Sequence, residues 1–327
     1  MPKALAMISG GLDSTLAARL VKDQGIDVIG ICFKSYFFDE DSAVKMAKQI
    51  DIPLYVIDIS KEHFEMVKNP KYGYGKNMNP CIDCHSMMFR IAGESLLKYN
   101  ADFIITGEVL NQRPMSQNKN ALNIVKKESL IEDKILRPLS AKQLEPTKME
   151  LDGLVDREKL LDINGRTRKT QMELAKSLDI IDYPSPAGGC KLTEPNFAIR
   201  LKDLLEFNKE IKERDILLLK YGRHFRISNN SKIISTRTEE EYDEVIKLLE
   251  EKDLVFSVEN FMGSTIIIIG DPSEEDILMA SRICVRYSKA DKDSLVNVKY
   301  GYFNQELNKK VQVTSITDDE IKMYILN

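Results

Sequence analysis

Through the first hundred residues, short apolar runs alternate with amphipathic stretches, and no other feature constrains the fold as strongly. Ala4–Ile8, Val28–Phe33, Leu54–Ile59 and Asp102–Thr106 read as strands. Leu12, Leu16 and Leu20 recur at helical spacing up to Gly25, Asp41–Ile50 is helical up to the stop before Pro53, and Ser86–Tyr99 reads as a helix. Strands linked through helices by short connections imply an α/β fold with a doubly wound parallel sheet. Farther on, Asn111–Ala121 is polar and aperiodic, which suggests a long loop. Leu136–Leu139 is a short extended segment, Arg166–Leu178 a helix with a basic start, and Pro184–Gly189 a loop.

After about residue 205 the pattern changes. Asp215–Leu219, Phe225–Ile227, Lys232–Ile234, Leu254–Ser257 and Thr265–Ile269 read as strands, interspersed with helices at Glu239–Glu251 and Ser273–Tyr287. This is the signature of a smaller α+β domain. A chain of 327 residues holds two domains at roughly 100–200 residues each, and the change places them at 1–206 and 207–327. Charge changes there too: 29 basic against 28 acidic residues up to 205, then 18 against 23. No apolar run reaches the roughly 18–20 residues of a membrane span; the longest, Ser264–Gly270, suits a buried strand. The N-terminus shows no signal-peptide pattern, and five cysteines, an odd number, argue against a disulfide framework. A reducing, cytoplasmic setting is therefore expected, with no membrane partner. The net charge of −4 gives no global reason to expect a polyanion.

Ser9-Gly10-Gly11-Leu12-Asp13-Ser14 lies between the first strand and the first helix. Two glycines let the backbone approach a phosphate, and the helix behind offers unpaired N–H groups and its positive dipole end. Ser9 and Ser14 add hydroxyl donors, and Asp13 could hold Mg²⁺. The run resembles the SGGxDS loop of the PP-loop ATP pyrophosphatases. That resemblance implies ATP binding by Met7, Ser9, Gly10, Gly11, Asp13 and Ser14, with adenylation of a substrate oxygen by attack on the α-phosphate.

Thr106-Gly-Glu-Val-Leu-Asn-Gln112, followed by Ser116-Gln117, begins at a strand end, where such sheets bind ligands. With Leu136–Leu139 it resembles the tRNA 4-thiouridine synthases and implies that Gly107, Gln112 and Gln117 line the nucleotide or base pocket. The family's THUMP and rhodanese domains are not recognisable, so the resemblance covers about residues 3–205.

Cys81-Ile-Asp-Cys84, with the distant Cys190 after Gly188-Gly189, is a second constellation. Cys81-x-x-Cys84-His85 matches a c-type haem attachment site formally, but such sites belong to exported proteins. Three readings stay open. One is zinc on Cys81, Cys84, Cys190 and His85. Another is a redox set in which Cys84 or Cys190 carries a persulfide that the other resolves. The third is an iron–sulfur cluster on Cys81, Cys84 and Cys190 with one open iron that could hold sulfide; here the chain resembles the cluster-dependent tRNA thiolases. Cys32 and Cys284 read as packed core residues.

Residues 221–313 resemble the NFACT-R RNA-binding module. They depart from it at Thr236-Arg237-Thr238, where that module has Gly-Arg-Asn, and at Asp253–Ser257, which lacks its Trp and His. Candidate RNA contacts are Arg223, His224, Arg226, Lys289 and Lys299 there, and Arg166, Arg168 and Lys169 in the first part. The resemblances imply ATP-dependent tRNA uridine thiolation, C4 favoured over C2, with Asp13, Cys84 and Cys190 in catalysis. Sulfur would come from sulfide or a donor protein. The rivals are a PP-loop enzyme for a small molecule and a catalytically inactive RNA-binding adaptor. A homodimer remains open, with the second domain as its interface.

Overall fold

The computed structural model describes residues 1–185 and 189–326; Gly188, the neighbour of Gly189 in the loop before Cys190, lies outside them. The chain divides into two compact units, the first Met1–Thr193 and the second beginning at Glu194.

In the first unit the expected alternation is realised. β1 (Lys3–Met7), α1 (Leu12–Lys22), β2 (Asp27–Lys34), α2 (Asp41–Gln49), β3 (Leu54–Asp58), α3 (Ser60–Lys68), α4 (Cys81–Tyr99), β4 (Phe103–Ile105), α5 (Lys119–Glu128), β5 (Ile135–Leu136), α6 (Lys148–Leu151) and α7 (Lys169–Ser177) succeed one another in that order. The five strands pair in parallel in the order β3-β2-β1-β4-β5. This is the doubly wound sheet the sequence implies. Apart from the edge strand β3, its strands are buried on both faces, so alternate residues feed two cores. Ala4, Ala6, Phe103 and Ile105 join the buried faces of α1 and α2. Leu5, Ile31 and Ile104 instead pack with Phe89, Ala92 and Leu96 of α4. Cys32 is buried in β2, and desolvation, aided by Glu40, pushes its thiol up to about 11.

The second unit contains α8 (Pro195–Phe207), α9 (Glu213–Leu218), β6 (Arg223–Arg226), β7 (Ser231–Ser235), α10 (Glu239–Ile246), β8 (Leu254–Val258), β9 (Ile266–Gly270), α11 (Glu274–Arg286), β10 (Val296–Tyr302), β11 (Lys309–Val313) and α12 (Asp318–Ile321). Its six strands form an antiparallel sheet, β11-β10-β8-β9-β7-β6. Ile233, Ile266 and Ile268 face α11, while Ile234 and Ile267 face Leu218 and Val245 on the other side. Cys284 packs against the first of these faces, and burial pushes its thiol up to about 12.

Two expectations need correction. Asp215–Leu219 is not a strand: Asp215 accepts a hydrogen bond from Lys212 N at 2.9 Å, and the segment winds into α9, burying Ile216 and Leu218. The division between units falls after Thr193 rather than at 206, because α8 is tied to α9 and β6. Arg200 donates to Leu219 O at 3.0 Å and Gly222 O at 3.1 Å, and Asp203 receives both arms of Arg226.

Candidate active site

In a sheet ordered 3-2-1-4-5 the connections leave in opposite directions from β1 and β4, which opens a crevice at their carboxyl ends. Both glycine-bearing segments lie there. β1 ends at Met7, whose side chain packs into the core beside α4, and the chain turns through Ile8–Gly11 into α1. Gly10 has φ +79°, and a Cβ on it would meet Ser42 Cβ at 2.5 Å and Ala43 N at 2.8 Å. Gly11 caps α1 in extended conformation with no side-chain hydrogen bond, so no side chain occupies the anion-favouring end of that helix. The Ser14 hydroxyl donates to Gly11 O at 2.9 Å, accepts from Ser9 N at 3.2 Å and lies 3.2 Å from Ser9 Oγ, which holds the loop in shape.

From the other side, the turn after β4 presses onto the start of α1. A Cβ on Gly107 would fall against Ser14 N, 2.5 Å from Ser14 Cα. Gly107 therefore serves a close backbone approach. Gln112 Nε2 donates to Asp13 Oδ2 at 2.6 Å, and Gln171 Nε2, from α7, donates to Gln112 Oε1 at 2.8 Å. Arg168 Nη2 stands 3.9 Å from Asp13 Oδ1. These four side chains form one network, yet Asp13 Oδ1, Arg168 Nε and Gln171 Oε1 are buried without hydrogen-bond partners. Three unmatched polar atoms in one place are a site waiting for a polar ligand. Asp13 Oδ1 is the atom that could bind a Mg²⁺ accompanying phosphate. Gln117 is buried and fixes its own loop, its carbonyl accepting from Asn111 N at 2.7 Å; its side-chain Oε1 is also unmatched.

The cysteines lie on α4, which starts at Cys81, five residues before the expected Ser86, so Cys81 and Cys84 share one face of its first turn. Burial holds the Cys84 thiol well above its ordinary range, and Cys190, Cys81 and Asp83 add to the effect through their charge. Burial also raises Cys81, against the opposing pull of Arg113 and Asn79. Among the described residues no group of three or more His, Cys, Asp or Glu side chains is placed to hold a metal. Neither the cluster nor the zinc reading thus finds an assembled ligand set among the described residues.

Beside Cys84, sequence reasoning missed a buried ion-pair system. His85 Nδ1 donates to Glu108 Oε1 at 3.1 Å, and Arg137 Nε donates to Glu108 Oε2 at 2.9 Å. Burial works to raise the Glu108 carboxyl, but Arg137's charge and His85's hydrogen bond outweigh it, and the net shift is downward. All three residues sit inside segments already singled out; what linear spacing hid was that they meet. Gln171 gave no signal of its own.

Residues 2–160 match the tRNA methyl transferase HUP domain family, and residues 222–325 match the NFACT protein RNA binding domain. A tRNA-specific 2-thiouridylase MnmA of Karelsulcia muelleri is 36% identical over 126 residues, covering 36% of this chain and 33% of that protein. Its counterpart from Listeria monocytogenes is 28% identical over 216 residues, covering 61% of this chain and 54% of its own length. The first unit is similar to the PP-loop domains of tRNA thiouridine synthases. The second carries an NFACT-R-like module. The chain spans only a third to about half of those two relatives. Among solved structures, a 4-thiouridine synthetase–RNA complex with bound ATP is similar at TM-score 0.36 and 19% identity, over 55% of this chain and 52% of that one.

The basic candidates are used unevenly. In the PP-loop unit, Arg166 and Lys169 are exposed. Arg168 is not an outward RNA contact, because it turns in toward Asp13. In the NFACT-R-like unit, His224 is wholly buried and donates through Nε2 to Tyr221 O at 2.8 Å. Burial first, then Lys232 and Arg200, hold it well below its ordinary range. It is a neutral core residue and cannot contact phosphate from the surface. Arg226 is spent on Asp203, with both hydrogen bonds at 2.8 Å, and lies over the Phe207 ring. Arg223 stacks on Tyr287, and Lys299 pairs with Glu259 at 2.9 Å. Lys289 is exposed.

Proposed function

We propose that the protein thiolates a uridine in tRNA, using ATP to activate the ring carbonyl. The observation that carries this reading is the network at the β1/β4 crevice, where Asp13, Gln112, Gln171 and Arg168 leave unmatched polar atoms beside an open phosphate loop. The loop N–H groups and the α1 dipole would hold the leaving pyrophosphate, and Arg168 would offset charge growing on the α-phosphate. Asp13 would supply one oxygen to the Mg²⁺ of the nucleotide. The uracil oxygen attacks the α-phosphate, pyrophosphate leaves, and the base becomes an adenylate.

Sulfur delivery falls to the cysteine pair. Cys190 is half-buried and Cys84 buried, so Cys190 is the one a sulfur donor reaches and the one that would carry the persulfide. Its terminal sulfur attacks the activated carbon and AMP departs. Cys84 then loses its proton to solvent and attacks the Cys190 sulfur; the bond to the transferred sulfur breaks, with its electron pair going to the thiolated base. The resulting Cys84–Cys190 disulfide needs two equivalents of an external thiol, which leave as their own disulfide, before the next turnover. The charge-bearing surface for tRNA includes Arg166, Lys169 and Lys289.

The test is anaerobic turnover with ATP, unmodified tRNA and a persulfide donor, with pyrophosphate, AMP and thiolated nucleosides quantified together. The expected outcome is thiouridine at one AMP per sulfur, lost in Cys190→Ala and Cys84→Ala while pyrophosphate release persists. Nucleoside analysis separates the C4 product, favoured by the loop resemblance, from the C2 product made by the named relatives. A parent protein that holds iron and thiolates with free sulfide, and loses both in Cys81→Ala, would replace the persulfide route by the cluster. Absence of tRNA-dependent pyrophosphate release would overturn the reading as a whole.

A further inference from the structure

The second unit contains a cleft of about 350 Å³ that the thiolation chemistry does not use. Its walls combine apolar side chains, among them Phe207, Leu218 and Ile269, with the amides of Asn208, Asn229 and Asn230. Arg226, Lys232 and the neutral His224 also line it. Lys232 is 8% exposed, and its Nζ has no hydrogen-bond partner. It lies 3.1 Å from Asp203 Oδ2, without hydrogen-bond alignment, and that oxygen already accepts from Arg226 at 2.8 Å. Two cations therefore share one carboxylate. Arg200 adds its field to theirs, itself partly answered by Glu241 and Glu194.

Other charges at the cleft do not cancel this excess. Asp215 is engaged by Lys212 N at 2.9 Å and lies 3.6 Å from Arg214 Nε. Glu210 and Asp271 are exposed, as is Lys209 next to Glu210. Two buried cations on one carboxylate leave an excess of positive charge, and a chain keeps such an excess where something supplies the missing charge. An anion in the cleft would do so, hydrogen-bonding to the unmatched ammonium while the apolar wall and the asparagines take what it is attached to.

We propose that this cleft is a phosphate-binding site of the second unit, in which Lys232 receives the phosphate of a nucleotide. The phosphate could arrive on a free mononucleotide or on the end of an RNA. The assignment does not depend on the thiolation reading, since it uses none of its residues.

Calorimetric titration of the full chain with inorganic phosphate, AMP and a 5′-phosphorylated oligoribonucleotide tests it. Two classes of phosphate site are expected, one at the Ser9–Ser14 loop and one here. Lys232→Met should remove one class, and Ser14→Ala should spare that same class. Lys232→Met should also raise the melting temperature of the ligand-free chain, because Arg226 still pairs with Asp203. Asn230→Asp, on the exposed wall, leaves the buried cluster intact and should weaken phosphate binding roughly tenfold. Tighter binding of the oligoribonucleotide than of AMP assigns the site to RNA ends, and the reverse assigns it to free nucleotides. Unchanged phosphate stoichiometry in Lys232→Met, or unchanged affinity in Asn230→Asp, overturns the proposal.

Discussion

Glu108 shows how much of this molecule is decided by single side chains. It is 4% exposed and is held between Arg137 and His85. Removing its charge leaves the Arg137 guanidinium buried and unpaired, which costs about 3–5 kcal/mol in comparable cases. Glu108→Gln should lower the melting temperature accordingly at neutral pH. The pH dependence derives from the downward shift of the folded carboxyl. Its contribution is complete above the unfolded value of about 4.3 and is lost as pH falls through the lower folded value. Acid unfolding curves should therefore converge: the parent loses stability in that window, and Glu108→Gln loses less. A constant gap between the two curves down to the lowest pH would contradict the linkage. Sequence reasoning found the segments that hold these residues, two of them beside strands and the third by its cysteine spacing. It could not find the pairing, because Glu108, His85 and Arg137 come from three different elements.

At the level of elements, apolar runs and helical spacing located β1 to β4, α1, α2, α4 and α7, since burial on both faces leaves a continuous apolar run in β1, β2 and β4. They gave no sign of α3, α5 or α6. They also failed where local and tertiary demands diverge. Asp215–Leu219 has the apolar run of a strand, yet Asp215 caps the turn and the segment becomes α9. The contact between the β4 turn and the first turn of α1 is set by Gly107. The clashing atoms of a Gly107→Ala protein would be Ser14 backbone, which cannot rotate away as a side chain can. Overpacking of this kind costs about 1–3 kcal/mol, and here it would also displace Asp13 from Gln112. Gly107→Ala should fold with reduced stability and lose ATP-dependent pyrophosphate release by on the order of 10²-fold. Near-parental turnover would show that the approach is incidental.

For the whole molecule, the position of the division between units has a consequence for fragments. Asp203, on α8, is the counter-charge for Arg226 and Lys232, which lie in β6 and β7. A fragment beginning at Glu194 carries all three, and one beginning at residue 207 carries the two cations alone. The first should show a cooperative thermal transition and the second should not, monitored by circular dichroism; equal stability would remove Asp203 from its role. The sequence-based boundary missed this because α8 carries no charge or composition change that marks it as part of the second unit.

The order of strands also bears on how the chain reaches its native state. Ala4 pairs with Phe103, so the crevice walls come from segments about a hundred positions apart. Hairpins or neighbouring helices can assemble as the chain emerges, but this crevice has to wait for a distant strand to arrive and insert beside the first. Non-local pairing of this kind slows folding. The phosphate loop is thus made early and stays half-walled until β4 docks, and nucleotide affinity should appear as a late phase in refolding, after most helical signal has returned.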